Sequence, residues 1–251
     1  NKVLKQQNNP FFAIIQTADN HRPYTIPEED RDEFKLQSFS TDSLKRFGFE
    51  SNEEMNAFRY TDFCYQKFME AAQKEKYFKN TIFVFVGDHG IRYNGTLDYF
   101  PKAWTEQGLT CEHVPLLFYA PGLLKPKRIH DVASQVDVLP SIASLANISY
   151  SNNSLGRNLF DTVTNMQYKT TYPAGKFAFV IDHDVKSIGL VGNEYYYLKN
   201  LKTGKEDFVS MTGNEPVPVN TETVFLKEYL QKLTDAYYQT AQYLLLNNKK
   251  R

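Results

Sequence analysis

Cysteine is scarce in this chain: Cys64 and Cys111 are the only two among 251 residues. Two cysteines make neither a metal knuckle nor a disulfide framework. A surplus of charge is missing too, because 29 Lys and Arg balance 29 Asp and Glu. That balance argues against a general nucleic-acid binder, which needs a basic excess to neutralise phosphates. No run approaches the roughly 18–20 apolar residues of a membrane span. Internal repeats and low-complexity tracts are absent, and the chain opens at Asn1 without a Met or a targeting segment. Aromatic residues, by contrast, are plentiful, with 17 Tyr and 19 Phe, and 41% of the chain is hydrophobic. Such a chain can bury most of its apolar surface without a disulfide scaffold. Its aromatic content and balanced charge exclude disorder. The length suits one large α/β domain, or one domain with a small appendage.

The run from Phe11 to Thr17 is continuously apolar and β-prone, the pattern of a strand buried on both faces of a parallel sheet. A polar loop from Ala18 to Tyr24 follows, and residues 26–50 read as a charged, irregular surface excursion. From Asn52 to Phe78 the pattern turns helical, with Met55, Phe58, Tyr65, Phe68, Met69 and Ala72 on one stripe. Ser51 with Glu53 and Glu54 makes a favourable helix start. Thr81–Val86 is the clearest strand, so helix, turn and strand read as one α-to-β step. A second strand is expected over Val114–Tyr119, stopped by the Ala120-Pro121-Gly122 turn signal. Ser134–Asn147 looks helical, with Pro140 either kinking the helix or marking its first turn. After Gly156 short alternating runs at Phe177–Ile181, Ser187–Val191 and Tyr195–Leu198 suggest a small antiparallel sheet. A closing helix is expected over Glu222–Leu246. The fold expected is α/β, a mostly parallel mixed sheet flanked by helices over residues 1–160. A small α+β subdomain over 161–251 completes it.

Asp88 and His89 stand just past the carboxyl end of the Thr81–Val86 strand, between Gly87 and Gly90. In open α/β sheets ligands bind beyond the carboxyl ends of strands. The flanking glycines let the backbone turn sharply. A carboxylate oxygen beside an imidazole nitrogen is half a shell for Mn²⁺, Zn²⁺ or a similar ion. An Asp/His turn with no ligand role is the competing reading of the same four residues. His21 follows the expected first strand, where an imidazole could bind a ligand oxygen or support a leaving group. A surface loop histidine explains it equally well. Arg22 could contact a phosphate or sulfate, although a solvated arginine is commoner. His113 immediately precedes its strand, so it shares an edge with Asp88 and His89 only if that strand runs antiparallel. His130 and His183 read as structural or surface groups. On a strand, Asp182 and Asp184 would point one way and His183 the other.

Several of these segments carry a resemblance. Phe83–Gly90, His113–Gly122 and Ser134–Ile142 occur in the order seen in sulfatases. The chain resembles the sulfatase family of the alkaline phosphatase superfamily, and within it most the lipoteichoic acid synthase, or phosphoglycerol transferase, branch. Thr17–Tyr24 is similar to that branch's substrate-binding histidine motif, and Ser154–Phe160 to the segment after its last core helix. The resemblance implies that Asp88 and His89 bind one divalent metal ion, Mn²⁺ or Zn²⁺ first, with Ca²⁺ or Mg²⁺ as alternatives. It implies a catalytic, substrate-contacting role for His21 and a substrate or metal contact for His113, with Arg22 assigned to substrate binding. The family attacks its ester with a Thr, Ser or cysteine-derived nucleophile and passes the group to an alcohol or water. That nucleophile and an acidic metal ligand lie upstream of the His21 motif, so this chain is expected to be the C-terminal part of a catalytic domain.

Three hypotheses follow. The first is a metal-dependent sulfatase or phosphoglycerol/phosphoethanolamine transferase acting on cell-envelope or glycan phosphate or sulfate esters. It would work at the extracytoplasmic face of a bacterial membrane, anchored through a preceding segment, with no nucleic-acid partner. The second is a catalytically inert fragment that keeps a partial metal site. The third is a glycan- or lipid-headgroup-binding remnant whose binding would persist after Asp88→Ala and metal removal.

Overall fold

A computed structural model describes residues 1–93, 100–162 and 176–248. The chain divides into two interleaved units. The first comprises Asn1–Phe85, Ile91–Tyr99 and Leu117–Lys125, and the second Val86–Gly90, Phe100–Leu116 and Pro126–Arg251. The expected boundary after residue 160 is followed closely by residues 163–175, which lie outside the described residues.

The first unit is organised by its long helix. A short helix, α1 (Thr41–Arg46), precedes α2 (Asn52–Ala72). Ser51 caps α2 as its sequence predicts, the hydroxyl accepting from Glu54 N at 3.2 Å. Such a cap satisfies one of the orphan amides at the helix start. Residues 26–50 are largely exposed, as expected of a surface excursion, but are anchored by a few buried side chains. Ile26, Phe34 and Leu44 are buried, and Phe34 meets Tyr60 of α2 edge-to-face at 5.3 Å. These three apolar residues stand too far apart among charges to show a period. Asn52 and Asn56 of α2 bind this segment through its backbone. Phe39 N donates to Asn52 Oδ1 at 2.7 Å, while Asn56 both accepts from Gln37 N and donates to Gln37 O.

Strand β1 (Phe83–Val86) pairs with β2 (Leu116–Tyr119) in a two-stranded sheet. Phe83 and Phe85 pack on Phe68 and Tyr65 of α2. The two strands run antiparallel. Phe83 meets Tyr119 at one end, and Gly87 N donates to Pro115 O at 3.2 Å just past the other. No parallel pairing occurs among the described residues. The expected strand over Phe11–Thr17 does not form. Phe12, Ile14 and Ile15 are exposed by 70%, 82% and 64%. A strand exists through backbone pairing with a neighbour, and no described strand lies beside this run. Apolar composition alone does not supply that partner.

The second unit contains short helices α3 (Lys102–Thr105) and α4 (Leu109–Glu112), then α5 (Val138–Leu145). Pro140 is the third residue of α5, in its first turn, where a missing amide costs nothing. A four-stranded antiparallel sheet follows: β3 (Ala178–Asp182), β4 (Ser187–Val191), β5 (Tyr195–Asn200) and β6 (Glu206–Ser210), in that order. Helix α6 (Thr221–Asn247) covers one face, joining Leu230 to Leu190, Tyr197 and Phe177. The opposite face buries Tyr196 with Ala103, Leu109 and Met211. Alternate residues of β5 thus enter two different cores, as the strand's twofold period requires. The protein is therefore α/β, with sheets flanked by helices and a closing helix. No helix among the described residues is long and apolar enough to cross a membrane.

Candidate functional site

The turn after β1 holds the Asp-His pair with unusual closeness to its surroundings. A Cβ on Gly87 would stand 2.8 Å from Val114 Cβ. One on Gly90 would stand 2.0 Å from the Thr110 carbonyl oxygen. Both glycines are therefore needed for close approach rather than for turning alone. Gly90 N donates to Cys111 O at 2.7 Å, and with the Gly87–Pro115 bond this ties the turn to the segment entering β2.

Between these ties Asp88 and His89 are exposed. The Asp88 carboxylate accepts from His89 N at 2.9 Å. His89 Nδ1 lies 2.7 Å from Gly90 O. A carbonyl only accepts, so Nδ1 is the donor in this contact. A carboxylate oxygen and an imidazole nitrogen are the donor types a first-row divalent ion takes. The residues fit such an ion as half of its shell. Among the described residues no group of three or more His, Cys, Asp or Glu is placed to hold a metal ion.

The entry to α5 supports this turn. Ser134 and Asp137 form a capping box around the 3₁₀ turn Gln135–Asp137. The Asp137 carboxylate, 4% exposed, accepts from Ser134 N at 2.9 Å and from Arg157 N at 2.8 Å. From this turn the Gln135 amide donates to Gly87 O and to Asp88 O, each at 2.7 Å. Sequence reasoning missed Gln135. The carbonyls it meets belong to another segment, which the sequence around it does not reveal.

His113 lies where the antiparallel pairing of β1 and β2 puts it, at the same edge as Asp88 and His89. Its carbonyl stands 3.1 Å from the position a Cβ on Gly90 would take. Its ring meets Trp104 edge-to-face at 5.0 Å, and Trp104 Nε1 donates to Met211 O at 3.4 Å. Trp104 is a second residue that sequence reasoning did not single out; being the sole tryptophan was its one signal.

His21 and Arg22 belong to the first unit, so the structure describes them separately from the Asp-His turn. Both are exposed. His21 sits in a tight turn, its amide donating to Ala18 O and its carbonyl accepting from Tyr24 N. Tyr24 closes that turn with φ +58°, a conformation costly for a tyrosine, and is held by its hydroxyl donating to Glu54 at 3.1 Å. Burial, with that bond to Glu54, pushes the Tyr24 phenol above its ordinary pKa. Arg22 pairs with Glu50 and lies over the Tyr24 ring. Any anion reaching Arg22 competes with that carboxylate.

The remaining histidines stay outside this arrangement. His130 and His183 are exposed. Asp182 ends β3 and spends its carboxylate on Asp184 N and Val185 N, capping the turn to β4. Asp184 and His183 lie in that turn rather than on a strand.

A family model described as Sulfatase matches residues 1–148. The chain is 27% identical over 219 residues to the lipoteichoic acid synthase-like YvgJ of Bacillus subtilis, covering 81% of this chain and 31% of that protein. It is 27% identical over 181 residues to an ulvan-active sulfatase of Formosa agariphila, covering 66% of this chain and 34% of the relative. Among solved structures, BT4656 in complex with its substrate D-glucosamine-2-N,6-O-disulfate superposes with a TM-score of 0.52 at 13% identity. That match covers 85% of this chain and 45% of the other, and it shows the likeness of fold alone. The chain spans about a third of the length of the curated relatives it matches.

Proposed function

Since the chain belongs to the sulfatase family, we propose that it carries the Asp-His half of the metal site of an enzyme acting on phosphate or sulfate esters. One observation carries this reading. Asp88, His89 and His113 stand at one edge of the β1–β2 pair, and the Asp-His turn is tied at both ends by backbone bonds to the segment that holds His113. The substrates would be cell-envelope or glycan esters, attacked in phosphoglycerol or phosphoethanolamine transfer or in sulfuric ester hydrolysis. Relatives named for lipoteichoic acid synthesis and for ulvan sulfatase activity stand on the two sides of that choice.

A bound Mn²⁺ or Zn²⁺ would supply charge neutralisation and activation of an oxygen nucleophile. Asp88 and His89 hold the ion, and His113 receives an anionic oxygen of the substrate. His21 contacts the transferring group and moves a proton at the leaving oxygen, and Arg22, released from Glu50, contributes substrate binding. We place this chemistry at the extracytoplasmic face of a bacterial membrane. In the enzyme carrying this chain, Asp88→Ala or His89→Ala should abolish both metal binding and turnover. Wild-type metal content in either variant would remove that residue from the site. His21→Ala should keep the metal and slow the chemistry, and an unchanged rate would exclude it from the mechanism.

A second reading, a chain that binds without turning over, is favoured by the lack of a three-donor group among the described residues. Two protein donors leave most of the shell to water, so the 251-residue chain assayed alone should hydrolyse neither an aryl phosphate nor an aryl sulfate. Robust turnover in that assay would eliminate the second reading.

A further inference from the structure

We propose that Gln135 is a positioning residue for the Asp88–His89 pair, its amide fixing the direction in which both side chains leave the turn. This rests on reading Asp88 and His89 as metal ligands. The geometry is specific. One NH₂ group donates at 2.7 Å to two consecutive carbonyls, Gly87 O and Asp88 O. Because both partners only accept, the amide must present its nitrogen here and not its oxygen. Consecutive carbonyls held by one donor group restrain the peptide between them, and with it the backbone angles of Asp88. Those angles aim the Asp88 carboxylate and set where His89 begins.

The opposite side of the turn is tied through Gly87 N to Pro115 O and Gly90 N to Cys111 O. Gln135 therefore supplies the restraint that the strand pair does not. Gln135 is itself exposed, and an exposed glutamine gains little by being ordered unless its surroundings hold it. Here they do. The Ser134–Asp137 box shapes the 3₁₀ turn, Arg157 N completes the Asp137 carboxylate, and Gly156 lies against the same turn. A Cβ on Gly156 would come 1.8 Å from Val136 O. Outer groups that orient metal ligands in this manner commonly influence affinity as much as some ligands do.

The test separates hydrogen bonding from packing. Gln135→Met keeps the length and removes the donor, and Gln135→Ala removes both. Hydrogen exchange at the Gly87, His89 and Gly90 amides is measured in the metal-free 251-residue chain, and Mn²⁺ affinity is measured by electron paramagnetic resonance. Both variants should exchange about tenfold faster, the scale of two lost hydrogen bonds. Both should bind Mn²⁺ about ten- to a hundredfold more weakly. A Met variant that matches wild type while Ala does not would assign Gln135 to packing and overturn the proposal. Wild-type behaviour of both would overturn it too. Asp88→Ala is the separate control. If it keeps full Mn²⁺ affinity the metal reading fails, and the exchange data still decide whether Gln135 holds the turn.

Discussion

A methyl group at Gly90 would lie 2.0 Å from one backbone carbonyl oxygen and 3.1 Å from another. Neither can yield as a flexible side chain would, so the turn itself must move. Gly90→Ala is therefore expected to destabilise the protein by about 1–3 kcal/mol, as overpacking does, and to weaken Mn²⁺ binding at His89; denaturant unfolding and titration check the two effects. Asp137→Ala should cost about 3 kcal/mol, since it strips a buried carboxylate from two amides. A wild-type unfolding midpoint would contradict the role given to its box. Burial pushes the Cys64 thiol above its ordinary pKa, ahead of an opposing bond from Tyr60. A raised pKa leaves less thiolate at pH 8, so iodoacetamide should label Cys64 more slowly than free cysteine. At this scale the chain was informative where chemistry is local: Asp88, His89 and their glycines are contiguous. Gln135 acts across 47 and 48 residues on backbone atoms, and backbone acceptors leave no trace in residue type.

The longer helices α2, α5 and α6 were read well because stripes and helix-start signals are short-range, whereas the short α1, α3 and α4 were missed. Ser51 begins α2 and Asn220 begins α6, the latter through reciprocal bonds with Thr223 at 3.0 and 3.1 Å. Asn220→Ala should reduce stability by about 1 kcal/mol. Leu230→Ala, at a fully buried position of α6, should cost about 2–5 kcal/mol. A smaller penalty for Leu230 than for Asn220, in the same denaturant series, would mean that α6 is held by its cap rather than by the sheet. Strands were less legible. Phe11–Thr17 has the right composition and no described partner. β6 was missed because Glu206 and Asp207 disguise it, while Gly204 at φ +73° turns the chain back toward β5. Pairing is a property of two segments, and single-segment composition reports only half of it.

For the whole molecule, the α/β class and the family were legible from motif order, while the division into interleaved units was not. The units share two strands by sequence: β1 passes from one to the other at Phe85–Val86, and β2 at Leu116–Leu117. No composition shift marks those points. Trp104 belongs to the second unit and packs on its core, so its emission reports that unit's unfolding. Leu190→Ala, at a fully buried position of the same unit, should lower the Trp104-monitored stability by about 2–5 kcal/mol. An unshifted midpoint would mean that Trp104 senses only its local contact with His113.

The bond from Gly90 N to Cys111 O joins the point where the chain departs after β1 to the point where it returns before β2. Between these residues lie α3 and the start of α4, with Ala103, Trp104 and Leu109 packed in the second unit's core. Lengthening a closed loop costs only a slowly growing entropy. An insertion clear of Ala103, Trp104 and Leu109 should therefore leave the paired ends in register, whereas an exchange that removes those side chains would also empty part of that core.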